Sequence, residues 1–175
     1  LDIPLNHTAW EHPFNKDPEK HDWFHHNGDV TDWDNEWQAE NCSIFGLPDL
    51  AQENPEVEKY LIEVGKFWAD TGVDGFRLDA VKNVPKSFWS RFNEAMHEHA
   101  GPDFYLMGEY YVGDPSKYAQ YQHGGMDGLV DYPLYYTIDD VLAKGGSMRQ
   151  LADRVADCDR KFAKPEMMSA FLDNH

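Results

Sequence analysis

Apolar residues in this chain recur at two spacings, and the change of spacing marks where helices give way to strands. After Asn54-Pro55-Glu56, Val57, Tyr60, Leu61, Val64, Phe67 and Trp68 follow at steps that trace one face of a helix. Asn54 suits the N-cap, Pro55 the first turn, and Glu56 complements the helix dipole. Gly72 ends the run. From residue 73 to 79 the pattern becomes alternation. Phe76 and Leu78 share one face and Arg77 and Asp79 the other, which predicts a strand. Pro85 opens a second helix with Phe88, Trp89, Phe92 and Met96 on its inner side. Residues 104–109 read as a strand, 110–126 as a loop, 127–132 as a strand and 133–143 as a helix. Gly145-Gly146 breaks that helix. Ser147 and Gln150 make a capping-box pattern, and Met148, Leu151, Ala152 and Val155 form a stripe expected to be buried. Residues 167–173 read as a last strand and residues 1–7 as a first, short one.

Strands alternating with helices imply a parallel sheet joined by right-handed crossovers. The predicted strands end near residues 6, 79, 109, 131 and 173. Five strands are three short of a (β/α)8 barrel, whose active site is built at the C-terminal strand ends. Polar side chains stand at those ends: Asn6-His7, Arg77 with Asp79, Glu109, and Asn174-His175. Residues 8–54 follow neither spacing. A loop of such length inside a compact domain is usually functional. It carries Trp10, Trp23, Phe24, Trp33 and Trp37, most of which are expected to hold it together as a small aromatic core.

Composition narrows the class. A chain of 175 residues can bury one sizeable core, and 41% apolar with 14% aromatic residues places it among folded domains. No run of about 18 apolar residues occurs, so no membrane span is expected. The net charge of −17 repels phosphate backbones, so no nucleic-acid partner is expected. It is compatible with a neutral substrate, with calcium or with a saline setting. Cys42 and Cys158 are too few for a disulfide framework or a zinc site, and no bond between them is expected. His25-His26 lies in an acidic loop and is expected to face solvent or a sugar.

The candidate chemistry centres on Asp79 and Glu109. Arg77, on the same strand face, can orient the Asp79 carboxylate, and an oriented carboxylate at a strand end is a candidate nucleophile. The alternative is an ion pair that merely caps the strand. Glu109 ends the next strand, and neighbouring strands lie about 4.8 Å apart. Retaining glycosidases hold two carboxyl groups about 5–5.5 Å apart, one as nucleophile and one as acid/base. The pair is thus compatible with double displacement.

These residues also match a known family. Gly75-Phe76-Arg77-Leu78-Asp79-Ala80-Val81-Lys82 resembles the second signature of the α-amylase superfamily, glycoside hydrolase family 13. Asp2-Ile3-Pro4-Leu5-Asn6-His7 resembles its D-x-x-x-N-H strand end, and Leu106-Met107-Gly108-Glu109 its G-E strand end. Phe171-Leu172-Asp173-Asn174-His175 resembles the start of its N-H-D signature, and Gly46-Leu47-Pro48-Asp49-Leu50 its L-P-D-L segment. The matches run in order through the whole chain. The resemblance implies a partial (β/α)8 TIM barrel of the α/β class. Residues 1–7 would be barrel strand 3, residues 8–54 the small inserted domain B, and residues 55–175 strands 4 to 7 with their helices. The chain reads as an excised piece of a longer protein.

The implied activity is retaining cleavage of α-1,4-glucosidic bonds in starch-type α-glucans. By the same resemblance Asp79 is the nucleophile, oriented by Arg77, and Glu109 is the acid/base. His7 and His175 would bind hydroxyls of the sugar beside the cleaved bond, and Lys82 the sugar on the leaving side. Tyr111 is expected to stack on a sugar, with Tyr110 and Trp33 as further candidates. The family's third acid would be residue 176, so the 175-residue chain alone is expected to be inactive. Calcium is the implied cofactor, held by the side chains of Asn6 and Asp49 and the backbone carbonyls of Glu40 and Asn83. Asn83 departs from the family's usual His, which removes any imidazole contact there. The resemblance also implies a secreted, extracellular enzyme; it leaves the oligomeric state open. The segments GLPDL, GDPSKY and MDGLVDYPLYY point to true α-amylases. Phe45 resembles the central aromatic of cyclodextrin-forming relatives and keeps a cyclodextrin-acting or transglycosylating enzyme as a rival. A non-catalytic, sugar-binding or partner-binding barrel homologue is the second rival.

Overall fold

A computed structural model describes residues 1–174. Four strands, β1 (Asp2–Ile3), β2 (Gly75–Leu78), β3 (Tyr105–Gly108) and β4 (Gly128–Leu129), form one sheet in the order β1-β2-β3-β4. Every neighbouring pair is parallel. The order follows the chain, as in a barrel wall built by successive crossovers. The helices are α1 (Glu36–Asn41), α2 (Pro55–Ala69), α3 (Lys86–Ala100), α4 (Ala119–His123), α5 (Tyr132–Ile138) and α6 (Met148–Lys161). A π-helical turn, Asp139–Ala143, continues α5. No helix among the described residues is long and apolar enough to cross a membrane.

Local signals act as expected. Asn54 Oδ1 accepts from Glu56 N at 2.9 Å and starts α2, with Pro55 in the first turn. Ser147 and Gln150 form both bonds of a capping box on α6. Phe76 and Leu78 are buried in a core shared with Leu106, Leu129, Phe88, Trp89, Phe92 and Met96. Burying each such side chain stabilises the fold by about 1.5–3 kcal/mol. Gly65 lets α2 approach α3: a Cβ there would lie 2.8 Å from both Met96 Sδ and Phe92 Cε2.

Several expectations need correction. The buried face of α2 is Val57, Leu61, Gly65 and Ala69, a strict fourfold step, and Tyr60, Phe67 and Trp68 are exposed. The stripe on α6 also lies open, with Met148 63% and Val155 50% exposed. Capping fixes where that helix starts; burial needs a neighbour over the stripe, which the described residues do not supply. The fourth strand stops at Leu129, because Asp131 turns the chain by capping α5 through its Oδ1 and Leu134 N, 3.0 Å apart. The fifth strand reduces to one parallel bridge, Val130 with Ser169. The inserted segment has a short helix, α1, and its aromatic core is smaller than expected. Trp23 and Phe24 are buried, whereas Trp10, Trp33 and Trp37 are exposed. Cys42 and Cys158 are both free and buried.

The N-terminal end of the sheet is closed by polar contacts. Asp127 Oδ2 accepts from Leu106 N at 3.0 Å and lies 3.2 Å from His97 Nε2, while Oδ1 pairs with Lys164 at 3.3 Å. Buried Gln122 donates to the carbonyls of Asp127 and Lys164 and accepts from Ala163 N. Tyr105 Oη donates to Met167 O at 2.6 Å.

Candidate active site

Alternation in β2 and its register with β3 build the site. Leu78 pairs with Gly108, so the residues that follow, Asp79 and Glu109, leave adjacent strand ends side by side. Glu109 N donates to Leu78 O at 2.8 Å and Val81 N to Glu109 O at 3.1 Å, which ties the two ends together. Arg77 stands between the carboxylates. Its Nη1 lies 2.5 Å from Asp79 Oδ1 and its Nη2 2.5 Å from Glu109 Oε1. Nη1 also reaches Asp2 Oδ1 at 2.9 Å. Burial lowers the Arg77 pKa, but the three anions together outweigh it and the net effect is a raised pKa. The guanidinium therefore remains charged.

Ala80, directly after Asp79, adopts a left-handed backbone with φ +48°. Such a conformation is uncommon for a residue with a Cβ and concentrates at functional sites. It directs Ala80 N toward Glu109 Oε2, 3.5 Å away. Tyr132 Oη donates to Glu109 Oε1 at 3.3 Å.

A cleft of about 640 Å³ opens over this pair, lined by His7, Trp33, Ile44, Phe45, Leu47, Asp79, Ala80, Lys82, Asn83, Glu109 and Tyr111. Burial lowers the His7 pKa, and the charge of Asp79 opposes that shift. Lys82 Nζ donates to Trp33 O at 2.6 Å and fastens the inserted segment to the strand end. Tyr111 is 66% exposed at the rim with its ring 4.6 Å from that of Tyr132. Tyr110 is buried instead and packs on Tyr118 and Tyr121, so it offers no stacking face. Phe45 is 83% exposed and also left-handed, at φ +52°. His175 lies outside the described residues.

The expected calcium ligands fall in two pairs, Asn6 with Asp49 and Asn83 with Glu40. An antiparallel bridge joins His7 to Asp49 and so brings Asn6 beside it. Asn83 Nδ2 donates to Ala39 O at 2.9 Å, next to Glu40. Asn6 is fully buried and its Oδ1 has no hydrogen-bond partner among the described residues. Burial pushes the Asp49 carboxyl up to about 6 despite a 2.7 Å bond to His25 Nδ1. An orphaned amide oxygen and a desolvated carboxylate are oxygens that a hard cation would satisfy, so Asn6 and Asp49 are donors of the type calcium takes. His25 is not the solvent- or sugar-facing residue expected: its Nε2 also lies 2.9 Å from Glu53 Oε1. Asp2, Tyr132 and His25 were absent from the expected site. Their contacts cross long sequence separations, and for Tyr132 the DYPLYY match was the one signal that pointed to it.

A parallel sheet whose C-terminal strand ends present a guanidinium-bridged carboxyl pair under an inserted segment defines a (β/α)-barrel-type segment with a two-carboxylate site. The chain belongs to the α-amylase family: the family model for the alpha amylase catalytic domain matches residues 1–175. It is 41% identical to the beta/alpha-amylase of Paenibacillus polymyxa, over 100% of this chain and 15% of that protein. It is 31% identical to the cyclomaltodextrin glucanotransferase of Klebsiella oxytoca, over 87% of this chain and 25% of that protein. Among solved structures it matches the α-amylase of Geobacillus thermoleovorans, in complex with acarbose, with TM-score 0.95 and 45% identity. That match covers 100% of this chain and 40% of the other. The fold is the corresponding part of a TIM barrel, and the chain spans less than half of each of these relatives.

Proposed function

We propose that the enzyme containing this segment is a retaining glycoside hydrolase that cuts α-1,4-glucosidic bonds in starch-type glucans. The observation that carries this reading is Arg77 bonded at once to Asp79 and Glu109 at adjacent strand ends. Asp79 attacks the anomeric carbon while the bond to the leaving sugar oxygen breaks, and Glu109 gives its proton to that oxygen. Glu109 then takes a proton from water, whose oxygen displaces Asp79 and regenerates both groups. Arg77 orients both acids. His7 and His175 bind the sugar beside the cleaved bond, Lys82 binds on the leaving side, and Tyr111 stacks at the rim.

The side chains of Asn6 and Asp49 with the carbonyls of Glu40 and Asn83 would hold calcium, which would supply charge neutralisation and tie the inserted segment, residues 8–54, to the barrel residues 1–7 and 55–175. The enzyme acts outside the cell, a reading that rests on the family resemblance. A second reading, transfer to an acceptor sugar in place of water, is favoured by the exposed, left-handed Phe45 in the cleft. Product chromatography of the enzyme on maltoheptaose, with calcium and with chelator, tests all of this. Short linear products that vanish in Asp79→Asn support hydrolysis, and cyclic or elongated products support transfer. Sugar binding without turnover would overturn both readings and leave a non-catalytic homologue.

A further inference from the structure

Glu109 has two carboxyl oxygens, and the protein treats them differently. Oε1 receives Arg77 Nη2 at 2.5 Å and the Tyr132 hydroxyl at 3.3 Å. A carboxyl oxygen has two lone-pair sites, so these donors fill both. Among the described residues Oε2 meets just the long contact from Ala80 N, at 3.5 Å. A proton on Oε1 would have to displace one of its donors, whereas Oε2 can carry one with its neighbours in place.

Tyr132 is itself fixed. It begins α5 directly after the Asp131 cap, is 3% exposed, and packs against Tyr111 at 4.6 Å and Phe171 at 5.1 Å between ring centroids. Asn174 Nδ2 donates to Tyr132 Oη at 2.9 Å. With a lone pair of Oη occupied by that amide, the hydroxyl hydrogen is directed at Glu109. Burial, with the Glu109 charge, pushes the Tyr132 phenol up to about 12, so it keeps that hydrogen.

We propose that Tyr132, set by Asn174, is a positioning residue that holds Glu109 by Oε1 and so makes Oε2 the oxygen that delivers the proton. This rests on the acid/base role of Glu109 given above. The proton leaves Oε2 for the glycosidic oxygen, the C1–O bond breaks with its electron pair on that oxygen, and an Asp79 oxygen bonds to C1. The carboxylate left on Glu109 is then stabilised through Oε1 by the same two donors. The arrangement also couples the acid/base to the segment that carries Asn174.

The test compares leaving groups in the full enzyme. Fluoride departs from α-maltosyl fluoride with little help from an acid, whereas a sugar alkoxide needs the proton. The ratio kcat/KM reports on steps through departure of the leaving group. Tyr132→Phe should lower kcat/KM on maltoheptaose by about tenfold or more, a fraction of a full acid/base effect, and change it less than about twofold on the fluoride. Asn174→Ala should show the same split, smaller, and serves if Tyr132→Phe does not fold. Equal losses on both substrates, or none on either, overturn the proposal. A wild-type enzyme that turns over neither substrate would instead overturn the glycosidase reading itself.

Discussion

The two ends of one parallel sheet use charge in opposite ways. At the N-terminal end Asp127 is shared among Leu106 N, His97 and Lys164, and Gln122 stitches residues 127, 163 and 164 together. Its polar groups meet partners of opposite kind and close the structure. At the C-terminal end one guanidinium, Arg77, pairs with three carboxylates: Asp79 and Glu109, which line an open cleft, and Asp2 of β1. Left-handed backbone at Ala80 adds strain at the same place. A fold optimised solely for stability would not crowd anions there. In a barrel one end serves stability and the other chemistry, and the difference should be measurable by substitution.

The sharpest break of that comparison is Asp79→Asn. It should lower kcat on the order of 10⁴-fold, the scale of removing one member of a catalytic unit. Relieving one anion of the crowd should leave the melting temperature unchanged or raised. A marked fall in melting temperature would mean that Asp79 is an ion-pair cap after all. Gln122→Leu at the opposite end should behave in reverse. It leaves the Asp127 and Lys164 carbonyls and Ala163 N without their partner, at about 1–3 kcal/mol for each group that stays buried and unpaired. Denaturant unfolding should register that loss, while kcat per folded molecule stays within about twofold.

The calcium proposal sharpens the contrast, because it places a cation near the anionic end. Calcium at about 100 times its Kd should stabilise the enzyme by about 2.7 kcal/mol, removed by chelator. Asp49→Ala should abolish the chelator effect on melting temperature. A chelator effect of full size in Asp49→Ala would assign the cation elsewhere.

What the sequence disclosed divides along the same line of distance. The Asn54 cap, the Ser147–Gln150 box and the alternation that sets Arg77 and Asp79 on one face are local, and each was readable. The pairing of Asp79 with Glu109 was readable too, because consecutive parallel strands put their ends together. The open stripe on α6 was not, since spacing tells which residues share a face and not what covers it. Nor was the turn at Asp131: a short apolar run reads as strand until a cap bond ends it. Tyr132 and His25 were missed for a related reason. Each meets its partner across the fold, Tyr132 with Glu109 and His25 with Asp49 and Glu53, and no local pattern encodes those meetings.

The smallest expected effect concerns His7, which lines the cleft yet is half-buried. Burial lowers its pKa in the folded protein, with the Asp79 charge pulling the other way. An unfolded imidazole takes up its proton near pH 6.5, about where this ring in the fold remains neutral. Below that pH the unfolded chain binds more protons than the folded one, so this contribution to stability is lost as pH falls. Asp49 acts with the opposite sign. Its folded value of about 6 exceeds that of a free carboxyl, so its contribution is lost as pH rises through that window. Both proteins in a comparison of wild type with His7→Gln retain Asp49, so their difference isolates His7. The melting temperature of the variant should fall less steeply from about pH 6.5 toward pH 5, and the difference from wild type should become constant above about pH 7.5. Parallel curves across that range would show that the imidazole is as well solvated in the fold as out of it. The chemical end of the sheet would then be open to water at His7, and its contrast with the closed end would narrow to the three carboxylates around Arg77.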